Sequence, residues 1–247
     1  SIAANDSITI PQYLTNRFLS ANRSLQVVSA IIFLVAYTIY AASSIKACGT
    51  LFSTVIPGLD ASVAMYIAGL IMICYTFLGG FSAVCWTDFF QGMLMLAALM
   101  ATPIVAVFAM NAADFAPMAA VVTPDNYYNL LSSGKFDWAS ISDILSGLGW
   151  GLGYFGMPHI LVRYMSIKSE KEMKKSRVIG ITWTTIILAM ASVVALVGHQ
   201  FVGTYLAEGS QSMIFVVMVR KLFPAFIAGL LLSAILAASM STADSQL

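Results

Sequence analysis

The 247-residue chain is poor in charge, with 12 Lys and Arg against 11 Asp and Glu, 9% of all residues and a net charge of +1. Soluble domains carry about a quarter. So even a balance leaves no basic footprint for nucleic acid. Cysteine is scarce too. Cys48, Cys74 and Cys85 allow at most one pair, which excludes a disulfide framework and gives no metal-ligand spacing. The two histidines, His159 and His199, have no paired carboxylate nearby, so no zinc site is expected. The serines lack a His–Asp arrangement, and no glycine loop cradles a phosphate ahead of a basic helix. Nothing here suggests an enzyme or an organic cofactor. The N-terminal stretch also lacks a signal peptide's charged, then apolar, then small pattern.

What the chain does have is apolar length. Hydrophobic residues make up 60%, and mean hydropathy is +0.88. Several runs reach the roughly 20 residues that a helix needs to cross a bilayer. The fold class expected is an all-α polytopic membrane protein, one transmembrane domain over residues 1–247. Its spans are read at about 25–52, 61–78, 89–110, 141–165, 179–206 and 224–247. Pro57-Gly58 marks a turn, Gly79-Gly80 closes the second span, and a tight connection is expected to reach Asp88. The chain starts at Ser1 without Met and stops at Leu247 inside an apolar run, so it reads as a middle piece of a longer protein.

Lys and Arg in short loops set orientation. Arg163, Lys168, Lys171, Lys174, Lys175 and Arg177 lie together, and Arg17 and Arg23 fall on the same side. Lys135, Arg220 and Lys221 fall on the other, which places the basic loop 163–177 in the cytoplasm. Glu170 and Glu172 interleave with these bases, as in a solvated topogenic loop.

Within the fourth span, Gly147, Gly149, Gly151, Gly153 and Gly156 precede Pro158. Glycine weakens a helix and proline breaks one. Irregular backbone at membrane depth is tolerated only where it is buried in protein or lines a wet cavity, and transporters bind substrates and ions at such breaks. Trp150, Tyr154 and Pro158, spaced by four, would share one face and could wall an apolar ligand. The alternative is close helix packing on glycine.

Ionisable residues inside spans are functional candidates by default. Asp88 is one, although an acid in a first helical turn is also favoured by the helix dipole. In the sixth span, Ala238, Ser241 and Thr242 stand at i, i+3 and i+4 on one face. Two hydroxyls and a carbonyl are neutral oxygen donors that suit a monovalent hard cation, where a divalent ion would ask for carboxylates. Small residues that let helices approach closely are the other reading.

Four blocks carry a resemblance to a known family. They are Thr9-Ile10-Pro11-Gln12-Tyr13 through Phe18, Tyr75-Thr76-Phe77-Leu78-Gly79-Gly80 through Asp88, Gly149 through Leu161, and Leu231-Leu232-Ser233-Ala234 through Thr242. In these the chain resembles the sodium:solute symporter family almost end to end, and the third block is similar to its proline-transporting branch. The resemblance implies a LeuT-like inverted-repeat fold, here incomplete at about six transmembrane helices, working by alternating access. It implies sodium-coupled import of L-proline across the bacterial inner membrane, with sodium as the coupling ion and no other cofactor. The partners implied are proline, sodium and the lipid bilayer.

By the same resemblance Tyr40, Trp150, Tyr154 and Pro158 are substrate-binding, Ala238 (through its carbonyl), Ser241 and Thr242 are sodium ligands, and Asp88 stands on the ion's intracellular route. Asp244, one turn beyond Ser241, stands where some relatives carry a hydroxyl residue and is assigned to the same ion pathway. Met157 stands where some relatives carry Gln. Another small solute, or a symporter-like membrane domain of a sensor kinase, are the alternative functions.

Overall fold

The computed structural model describes residues 7–19, 22–56, 58–112, 114–123, 125, 127–129, 131, 133–153, 157–167, 169–207 and 209–246, with the backbone alone at 150 and 170. Eight α-helices follow one another: α1 (Ile10–Arg17), α2 (Ser24–Val55), α3 (Ala61–Met110), α4 (Trp138–Gly153), α5 (Pro158–Met165), α6 (Glu170–Val202), α7 (Ile214–Leu222) and α8 (Ala225–Asp244). Among the described residues there is no β-strand. Among the described residues four helical segments are long and apolar enough to cross a membrane: Ser24–Val55, Ala61–Met110, Lys171–Tyr205 and Ala225–Asp244.

Local chemistry accounts for the starts. At α1, the Thr9 hydroxyl accepts from the Gln12 amide while Gln12 Oε1 accepts from the Ile8 amide, a reciprocal cap with Pro11 in the first turn. At α3, Asp60 Oδ1 accepts from the amides of Ser62 and Val63. Those donors, Val63 first, hold the Asp60 carboxyl below the usual carboxylate range. Before α4, Asp137 Oδ1 accepts from the Ser140 amide and is held low in the same way.

The helices fall into two compact units. The first, residues 1–34 and 122–179, holds α1, the start of α2, α4, α5 and the first turns of α6. Within it α1 packs on α5. The second, residues 35–121 and 180–247, holds the rest of α2, all of α3, most of α6, and α7 and α8. Helix α3 contributes to each cluster of its core. Leu51, Ala98, Val216, Val219, Ala228, Leu231 and Leu232 form one cluster, and Ala106, Val194, Phe201, Val202 and Met218 a second. Cys48, Ala68, Met72 and Ala243 form a third, where α2, the start of α3 and the end of α8 meet.

The tight connection expected over residues 79–88 is helical instead. Helix α3 runs from Ala61 to Met110 with non-helical torsions only at Gly80, at φ 61° and ψ −168°. A side chain rarely tolerates that φ, and glycine does so without cost. One residue thus breaks an otherwise continuous ladder into lengths of about 28 Å and 45 Å.

Residues 115–120 run beside the end of α6. The Met118 amide donates to the Phe201 carbonyl and the Thr204 amide to the Ala120 carbonyl, while the Phe115 and Phe201 rings stack. Gly203, at φ 58°, sits where a Cβ would collide with the carbonyls of Ala119 and Ala120. Gly209, at φ 86°, has nothing within 4 Å of such a Cβ among the described residues. Gly203→Ala should therefore cost more than Gly209→Ala, which meets only backbone strain of about 1 kcal/mol. Thermal unfolding of the two variants in detergent checks the ranking, and equal losses would show that the close approach is not what selects glycine at 203.

Candidate functional site

In the second unit, the polar side chains of α8 other than Ser233 gather in its last two turns. Asp244 is 3% exposed and is the charged member of the buried set among the described residues. A carboxylate at such depth needs hydrogen-bond donors. The Tyr75 hydroxyl supplies one, donating to Asp244 Oδ2 at 2.6 Å from the first half of α3. One turn earlier on α8, Ser241 Oγ donates to Asp88 Oδ1, from the second half of α3. The Ser245 hydroxyl, 2.6 Å from the Ser241 carbonyl, lies 3.4 Å from Asp88 Oδ2. Thr242 Oγ1 donates to the Ala238 carbonyl at 2.9 Å.

At the contact of α3 with α8, Ser241 thus meets Asp88 and Asp244 meets Tyr75, while Ala238 and Thr242 pair within α8. Small side chains allow that close approach. The donor set fits a monovalent cation. A hydroxyl that donates its proton to a carboxylate or carbonyl still offers oxygen lone pairs, and a carbonyl engaged by one donor keeps a second lone pair. The helix-dipole reading of Asp88 fails, however. The ladder resumes after Gly80, so Asp88 sits about two turns inside a helix rather than in a first turn.

The substrate-site candidates divide differently. Tyr40 is half-buried on α2 in the second unit, its carbonyl accepting from the hydroxyls of Ser43 and Ser44. Trp150 and Pro158 belong to the first unit. Tyr154 and the side chain of Trp150 lie outside the described residues. Pro158 opens α5, with Met157 as its cap residue. The described part of α4 reaches Gly153 and α5 begins at Pro158, so the expected face from Trp150 through Tyr154 to Pro158 lies partly outside the described residues.

Nor do the glycines before that point break the helix. Residues 138–153 are helical throughout, because a penalty of about 1 kcal/mol per glycine does not outweigh a backbone ladder. Among the described residues nothing lies within 4 Å of a Cβ built on Gly147, Gly149, Gly151 or Gly153, so no described helix packs on them.

Sequence reasoning missed Tyr75 and Ser245. Ser245 was legible, because it follows Ser241 by one helical turn on the same face. Tyr75 was not, since its pairing with Asp244 spans 169 positions.

Comparison with known proteins bears on what such a site serves. The family model described as "Sodium:solute symporter family" matches residues 1–247. The chain is 42% identical over 245 residues to a protein of Staphylococcus aureus named sodium/proline symporter, covering 99% of this chain and 47% of that one. Proteins of the same name from S. aureus strains JH9 and Newman are equally similar, with 46% of each covered. The chain spans about half the length of the curated relatives it matches. No solved structure matches it. Whole-chain agreement with the family model, together with four apolar helices of membrane-crossing length, places this membrane protein in the sodium:solute symporter family.

Proposed function

We propose that the protein to which this chain belongs imports L-proline with sodium across the bacterial cell membrane, by alternating access on a LeuT-like scaffold. The observation that supports the reading is the bond of the Ser241 hydroxyl to Asp88, with the Thr242 hydroxyl, the Ala238 carbonyl and the buried Asp244 carboxylate on the neighbouring turns of the same helix. In this reading sodium takes its oxygens from Ala238, Ser241 and Thr242, and Asp88 and Asp244 line its route to the cytoplasm. The basic loop 163–177 faces the cytoplasm, in keeping with the bias of Lys and Arg between the two sets of loops. Coupling follows from linkage: if sodium favours the proline-competent state, proline tightens sodium by the same factor. The name of the S. aureus relatives supports proline as the solute.

The test is uptake of labelled proline by the full-length protein in proteoliposomes. A sodium gradient should drive accumulation, and equal uptake with potassium in its place would sink the proposal. Competition by unlabelled amino acids and carboxylates checks the solute.

On the same reading Tyr40, Trp150, Tyr154 and Pro158 are each assigned to proline binding. An aromatic face suits a compact pyrrolidine ring and its secondary ammonium, a contact worth roughly 0.5–2 kcal/mol. Trp150→Ala and Tyr154→Ala should each weaken apparent proline affinity by about threefold to thirtyfold. Sodium binding without proline should change less. Normal proline affinity in both folded variants would make these residues packing alone.

A further inference from the structure

Helix α8 is held to α3 at points on both sides of Gly80. Asp88 lies beyond that break and engages Ser241 and Ser245. Tyr75 lies before it and engages Asp244. Because Gly80 leaves the helical ladder, the two halves of α3 are not one rigid rod. The Asp88 contact alone would fix the end of α8 only to the second half. The Tyr75–Asp244 bond supplies the other point, between a half-buried phenol and a carboxylate that is 3% exposed. Ser241 and Asp244 are three residues apart on one helix face, so the same turn of α8 carries both attachments.

We infer that Tyr75 is a positioning residue for the sodium step. Its hydroxyl fixes the rotamer of the Asp244 carboxylate and, through it, the register of the last turn of α8 against both halves of α3. That register sets where the Ser241 and Thr242 oxygens stand. Tyr75 touches no ion in this account; it acts through Asp244. The inference rests on the assignment of Ser241, Thr242 and Asp244 to the sodium path.

Sodium-dependent proline uptake by the full-length protein tests it, with wild type, Tyr75→Phe, Asp244→Asn and the double variant in parallel. Phe keeps the ring and its packing and removes only the donor. Tyr75→Phe should raise the sodium concentration for half-maximal uptake by about threefold to tenfold, a part of the worth of one hydrogen bond to a charged group, because the loss reaches the ion only through Asp244. The maximal rate at saturating sodium should be retained. Added to Asp244→Asn, the Phe substitution should raise that concentration by less than it does in wild type, since the two residues act as one unit. Replacing Tyr75 with 4-aminophenylalanine retains a ring and a donor and should keep the wild-type sodium requirement.

A sodium requirement unmoved by Tyr75→Phe, or full additivity in the double variant, overturns the inference. So does a Phe variant that fails to accumulate while the aminophenylalanine form transports normally, because the bond would then serve folding. Wild type keeps the two readings apart. If wild-type uptake ignores sodium, the proposed function fails; if it depends on sodium and Tyr75→Phe matches it, only the role of Tyr75 fails.

Discussion

Removing the hydroxyl of Ser241 or Thr242 should raise the sodium concentration for half-maximal proline uptake by at least about tenfold. The figure comes from the worth of a polar contact to a charged group, about 1.5–3 kcal/mol, with about 1.4 kcal/mol for each factor of ten. The side-chain contacts rank the variants further. In the proposed sodium site Ser241→Ala deletes a cation ligand, and it also takes a hydrogen-bond donor from Asp88. Thr242→Ala removes a hydroxyl that turns inward to its own helix, onto the Ala238 carbonyl, so its loss disturbs no other element. Ser241→Ala should therefore be the more damaging of the two. Ser241→Thr and Thr242→Ser keep the oxygen and should be far milder.

If the positions matter only for close packing of α8 on α3, the order reverses. Ala is no larger than Ser and would be harmless, while Ser241→Thr adds a methyl group at a helix interface and would hurt. Sodium dependence measured for all four variants decides between these outcomes. Apparent proline affinity should also fall at low sodium in the Ala variants and recover as sodium rises, which the packing account does not produce.

Much of this site was legible in the sequence because it lies on one helix. Spacings of three and four put Ala238, Ser241 and Thr242 on a common face before any coordinate is known. The same periodicity and run length find the apolar helices, since a chain of such composition has few other ways to satisfy its backbone. What stayed hidden has two physical origins. One is distance along the chain: Tyr75 pairs with Asp244, and Asp88 with Ser241, through the packing of α3 on α8, which no local pattern encodes. The other is the weakness of glycine as a signal. Gly79-Gly80 reads as the end of a helix, yet only Gly80 leaves the helical region, and the glycines up to Gly153 do not interrupt α4. Propensity ranks these residues as poor helix formers; it does not say where the ladder gives way.

Asp88 should prove the more sensitive of the two acids to loss of its charge. It accepts from Ser241 on one oxygen and has the Ser245 hydroxyl 3.4 Å from the other, so it ties the last turns of α8 to the second half of α3. Asp88→Asn keeps nearly the same shape and an acceptor oxygen for Ser241, while it removes the negative charge and turns the other oxygen into an NH2 donor. If that charge draws sodium along its route, the amide should lower sodium-driven uptake by about tenfold or more, because a charge–charge attraction of about 1.4 kcal/mol or more is lost at the low dielectric of a helix interface. Asp88→Ala should be worse, since the Ser241 hydroxyl loses its acceptor as well. A purely structural Asp88 predicts another pattern: Asp88→Asn would transport at the wild-type rate, and Asp88→Ala would lose protein from the membrane rather than sodium dependence. Uptake rate and protein level, measured over a range of sodium concentrations for both variants, separate the two. Asp88→Glu adds the last control. It keeps the charge but moves it by one methylene, so it should retain more uptake than Asp88→Asn if charge governs, and less if the length of the bridge to Ser241 governs.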